Sequence, residues 1–119
     1  MPSLAASPIG GCSTYLASAQ VASVTAVKTT PGSFYGGVIY NPNATVAYVQ
    51  LFDAAVASVT LWTTTPKLTL PVPATSALVL PQSAEGKAAF YTAISTAATT
   101  TPTGSTAPGT GLVTNLFFQ

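Results

Sequence analysis

The stretch Phe34–Asp53, FYGGVIYNPNATVAYVQLFD, reads as two β-strands and the turn that joins them. Asn41-Pro42-Asn43 is the sharpest turn signal in the chain. Asn hydrogen-bonds its own backbone and tolerates turn conformations, and Pro presets φ. After it, Thr45 to Phe52 alternates with the period of a strand. Val46, Tyr48, Gln50 and Phe52 fall on one side, and Thr45, Ala47, Val49 and Leu51 on the other. Before it, Phe34 to Tyr40 is an apolar strand interrupted by Gly36-Gly37. A glycine pair inside a strand marks a bulge or a close approach of another backbone.

The same signals recur outward in both directions. Val21, Val24 and Val27 with Thr25 and Thr29 predict a strand of about eight residues, turned by Pro31-Gly32. Downstream, strands are expected at Val56–Trp62, Lys67–Val72, Ala77–Leu80, Lys87–Thr96 and Leu112–Phe118. Pro66, Pro71 and Pro73 confine the second of these to a sheet edge, because Pro cannot donate to a ladder. No helical stripe competes. About eight short strands separated by turn signals predict an all-β fold, an antiparallel β-sandwich of jelly-roll type. Its expected core is Val38, Tyr40, Val46, Tyr48, Phe52, Leu61, Leu70, Phe90, Ile94, Leu116 and Phe118. A chain of 119 residues is one domain. The sandwich is expected over residues 21–119. Residues 1–20, broken by Pro2, Pro8, Gly10 and Gly11, read as an extended arm with a short strand near Tyr15, ordered by docking on a neighbouring subunit. Ala97–Gly111, AATTTPTGSTAPGTG, is a long loop without charge or aromatic ring. Such loops either contact a partner or move freely.

Composition excludes most chemistry. Only 4% of residues are charged (Lys28, Asp53, Lys67, Glu85 and Lys87), with no His and no Arg, for a net charge of +1. Without imidazole there is no Ser-His-Asp or Cys-His arrangement. One cysteine, Cys12, makes neither an internal disulfide nor a zinc site. Asp53 and Glu85 are the one possible carboxylate pair, and both neighbourhoods read as loop starts. No phosphate-binding fingerprint is present, and three scattered lysines do not neutralise a nucleic-acid backbone. The expectation is a protein without catalytic residues, cofactor or metal, binding neither nucleic acid nor membrane. No apolar run reaches the roughly 18 residues of a membrane span. Ile9-Gly10-Gly11-Cys12 has the outline of a lipoprotein box but lacks a basic start and an apolar stretch before it. Disorder is excluded too, since 48% of residues are hydrophobic and the net charge is small.

Three blocks in combination resemble a family of small virion proteins of tailed bacteriophages. They are FYGGVIYNPNATVAYVQLFDA (34–54), SVTLWTTTPKLTLPVPA (58–74) and ISTAATTTPTGSTAPGTGLVTNLFF (94–118). Gly37, Asn41, Pro42, Asn43, Tyr48, Gln50, Phe52 and Asp53 match the family's first block. Trp62 departs from it, standing where the family has a small residue, often Gly. The resemblance spans about residues 24–118 and implies a particle component. The expected function is that of a capsid decoration (cement) protein on the phage head surface, assembled in the host cytoplasm. It would form a homotrimer and bind across major capsid protein subunits. Weakly charged Thr/Ala/Val surfaces suit such permanent contacts. The alternative is a tail or fibre-associated module that binds glycan through Trp62 and tyrosines. Tyr15, Trp62, Thr100, Pro102 and Pro108 are the candidate interface residues.

Overall fold

The computed structural model describes residues 12–81 and 88–119. Nine strands lie among them: β1 (Ser13–Gln20), β2 (Thr25–Lys28), β3 (Gly32–Asn41), β4 (Ala47–Phe52), β5 (Leu68–Val72), β6 (Ser76–Leu80), β7 (Ala88–Phe90), β8 (Ile94–Thr99) and β9 (Leu112–Phe118). They form two antiparallel sheets. The first has the order β1-β9-β3-β6, with β7 also pairing β3, and the second has the order β2-β8-β4-β5. The pairs nest: β1 with β9, β2 with β8, β3 with β6 and β7, β4 with β5. The chain is one long hairpin with β4–β5 at its tip, wound so that successive pairs alternate between sheets. That connectivity is a jelly roll.

The core lies between the sheets. Phe34, Ile39, Leu112 and Leu116 from the first pack with Val49, Leu51, Val72 and Ile94 from the second. Burying each such side chain stabilises the fold by about 1.5–3 kcal/mol. Phe90, Ile94 and Leu116 are buried as expected, and Leu70 and Phe118 pack partly buried against the cluster. The facing of the two central strands is the reverse of the expectation. In β3, Ile39 points inward while Val38 and Tyr40 are exposed. The cause is the bulge at Gly36. Phe117 pairs with Gly36 but Phe118 pairs with Phe34, so Tyr35 is an extra residue and the alternation flips beyond it. Gly36 has φ 123°, and a Cβ there would lie 2.5 Å from the Leu80 carbonyl oxygen. In β4, Ala47, Val49 and Leu51 face the core. Val46 lies before the strand and is exposed, Tyr48 is half-buried, and Phe52 is fully buried but outside the central cluster.

Other expectations differ at the level of elements. Val56–Trp62 is not a strand, because β5 and β8 already occupy both edges of β4. It forms a 3-10 turn at Val56–Ser58 and a second turn in which Leu61 is half-buried. The strand expected at Lys87–Thr96 is two strands. Phe90 pairs with Gly32 in the first sheet and Ile94 with Lys28 in the second, so the chain changes sheets between them. Lys87 itself lies outside the described residues. The strand expected from Gln20 shortens to Thr25–Lys28. Ser13–Gln20, within the stretch read as an arm, is a full strand of the sandwich. It pairs along β9, Tyr15 Oη lies 2.7 Å from Thr25 Oγ1, and buried Gln20 donates to Thr96 Oγ1 across the sheets at 3.0 Å. Residues 1–11 lie outside the described residues.

Candidate interaction surface

The turns that follow β3, β5 and β8 meet at one end of the sandwich, and the Asn-Pro-Asn motif ties them together. Asn41 is fully buried, and its amide nitrogen donates to Thr45 O (2.9 Å), Val72 O (3.1 Å) and Pro73 O (3.3 Å). Its Oδ1 accepts from the backbone and side-chain nitrogens of Asn43. Asn43 in turn donates to Thr110 O and accepts from Thr110 N, at 2.8 and 2.7 Å. Its carbonyl accepts from Thr75 N at 2.9 Å. No charged residue occurs in the connecting segments at this end.

The outer face of the second sheet is covered by the chain's own loop. Gln50, fully buried on that face, donates to Thr99 Oγ1 (2.6 Å) and to Gly104 O (3.1 Å). Thr69 Oγ1 donates to Pro102 O at 3.2 Å, and Thr100 N to Thr106 O at 2.9 Å. Ala97–Thr99 belong to β8, and residues 100–111 fold back along their own sheet. The neighbour that this loop follows is its own chain.

The outer face of the first sheet is uncovered by described residues, and no described residue on it is charged. Register places Leu16, Asn115, Val38 and Val79 in one row across all four strands, with Val113, Tyr40 and Ala77 in the next. Leu16 is 67% exposed and Val79 60%, and Val38, Tyr40 and Val113 are also exposed. The parity flip at Gly36 sends Val38 and Tyr40 to this face. The Gly-Gly pair was the sequence signal for it.

Charge collects at the end opposite the Asn-Pro-Asn hub. Lys28 ends β2, Asp53 follows β4 and Lys67 precedes β5. Glu85 and Lys87 lie outside the described residues. The Asp53 carboxylate accepts from Tyr91 N at 3.0 Å and Thr92 N at 2.8 Å, holding the crossing from β7 to β8. Burial by itself would raise the Asp53 pKa. The N–H groups of Tyr91, Thr92 and Ala93 and the nearby Lys67 charge outweigh it and hold the carboxyl below its ordinary value. Lys67 Nζ lies 5.3 Å from the Phe90 ring centre and 5.0 Å from that of Tyr91. Burial pushes the Cys12 thiol pKa up, away from a reactive thiolate. Among the described residues no three His, Cys, Asp or Glu come together as metal ligands.

The five candidate interface residues do not share one surface. Tyr15 is half-buried and turned toward the core. Thr100 and Pro102 lie in the loop folded over the second sheet, and Pro108 in that loop is buried. Trp62 sits in the connection between β4 and β5, at the charged end, 76% exposed and with φ 81°. Leu16, Val79 and Val113, which were not among the candidates, form the apolar face instead. Comparison with known proteins finds no matching family model, no matching curated protein and no matching solved structure.

Proposed function

We propose that this protein is a structural component of a bacteriophage particle, a decoration protein that binds across major capsid subunits on the head. The observation that carries the reading is the charge-free outer face of the first sheet, with Leu16, Val38, Tyr40, Val79 and Val113 exposed together. An apolar sheet face of this kind marks an interaction surface. Contact made only in the assembled shell stabilises that shell by mass action. Self-association as a homotrimer belongs to the same reading: a trimer joins two different patches of each copy head to tail, and copies with a net charge of +1 repel one another little. The charged end then faces water. The test is location and copy number in purified particles, by quantitative mass spectrometry and electron microscopy. A copy number comparable to that of the major capsid protein, with density on the head, is expected. Absence from the particle overturns the reading. A few copies at the tail favour the second reading, a tail or fibre-borne recognition module, for which the exposed Trp62 speaks.

A further inference from the structure

Trp62 is placed at a cost that its own fold does not recover. It is the one tryptophan of the chain, and three quarters of its surface is exposed. Its φ of 81° lies in the left-handed region, where a bulky side chain is strained and glycine is not. Strain that packing does not repay points to function. The turn that presents it is closed at both ends. Thr63 N and Thr64 N donate to Thr60 O at 3.1 and 2.8 Å, and Thr60 N donates to Thr64 Oγ1 at 2.9 Å. The indole therefore stands on a preorganised tip, which lowers the ordering cost of binding. A second ring, Tyr91, is 77% exposed at the same end. Its backbone N–H donates to Asp53, and Lys67 Nζ lies 5.0 Å from its ring centre.

We propose that Trp62, with Tyr91, is a binding site for neutral oligosaccharide. A pyranose ring has one apolar C–H face and a rim of hydroxyls. The C–H face stacks on an exposed indole, whose π-face is electron-rich. The hydroxyls find uncharged partners in the threonines of the segment 60–65, TLWTTT. That segment carries no charge of its own. A protein partner fits the tip less well, because protein hot spots sit at the centre of a broad patch that excludes water. The broad apolar patch of this molecule is on the first sheet. The site is independent of where in the particle the protein sits.

The test uses the full-length protein, its Trp62→Gly and Tyr91→Ala variants, and three probes: maltohexaose, cellohexaose and chitohexaose at millimolar concentration. Saturation-transfer NMR reads binding for every variant, and the fluorescence of the single tryptophan reads contact in the parent. The expected result is a blue shift of Trp62 emission with at least one probe. Trp62→Gly should weaken that binding by at least about tenfold, with Tyr91→Ala weakening it less. Thermal unfolding of Trp62→Gly should be unchanged or higher, since glycine relieves the backbone. A loss of thermal stability in that variant makes Trp62 a structural residue and overturns the proposal. So does failure of the parent to bind all three probes. Loss of particle binding by Trp62→Gly without any saccharide binding assigns the tip to a protein contact and overturns it equally.

Discussion

Two polar side chains have structural roles far larger than their size. Asn41 satisfies three carbonyl oxygens and the Asn43 nitrogens from a fully buried position. Alanine there leaves these groups buried without partners, and buried unpaired polar groups are expensive. Asn41→Ala is expected to destabilise the fold by about 3 kcal/mol in denaturant unfolding. Asp53 is expected to add an acid-sensitive contribution to stability. Its folded pKa is lowered, so its contribution is present above the unfolded pKa and is lost as pH falls through the lower folded value. Unfolding temperature should therefore fall below about pH 4. In Asp53→Asn that fall should flatten, since Asp53 and Glu85 are the two acidic side chains of this sequence. An equal fall in both proteins would show that Asp53 does not hold the β7–β8 crossing.

At the scale of elements, one inserted residue controls a whole face. The bulge at Gly36 reverses the side-chain parity of β3 beyond Tyr35 and so puts Ile39 in the core and Val38 and Tyr40 outside. A Cβ at Gly36 would meet the Leu80 carbonyl, on the strand paired with β3, and the backbone there has a φ that L-residues avoid. Gly36→Ala should cost about 1–3 kcal/mol of stability by thermal or chemical unfolding. A neutral result would mean that the bulge relocates, and with it the facing of Val38. The same scale explains the loop at 100–111. The buried hydrogen bond from Gln50 to Gly104 O, with those from Thr69 Oγ1 to Pro102 O and from Thr99 Oγ1 to Thr101 O, holds it against its own sheet, so it serves as a cover of that sheet.

Charge is polarised among the described residues. Lys28, Asp53 and Lys67 lie at one end, and no described residue of the Asn-Pro-Asn end or of the outer face of the first sheet is charged. A monomer with a net charge of +1 has little repulsion to keep copies apart. A single charge placed on the neutral face should therefore act on association and spare folding. Val38→Glu, at a half-exposed position in the centre of the Leu16–Val79 row, is expected to unfold within a few degrees of the parent. On the proposed decoration role, its occupancy on heads should fall at least about tenfold, because a charge buried without a partner at an interface is costly. Unchanged occupancy, measured on purified particles, would move the contact away from this face.

Local chemistry in the chain determined what depends on near neighbours. The period of two in Thr45–Phe52, the turn at Asn41–Asn43, the prolines that confine Leu68–Val72 to an edge and the absence of any helical stripe are enough for an antiparallel sandwich of jelly-roll type. The missing histidines and scattered charges directed the sequence reading toward a contact surface, but none of the five residues named for it lies on the apolar face of the first sheet. What the tertiary structure decided depends on residues distant in sequence. Alternation shows that two faces exist but not which is inward. In β3 that choice rests on a bulge whose extra residue is defined by β9, some eighty positions away. Phe52 and Gln50 are buried on an outer face because other segments of the same chain cover it. Val56–Trp62 has strand composition but no free edge of β4 to join. The apolar face built from Leu16, Val38, Val79 and Val113 comes from four separate strands, and register alone brings them into one surface.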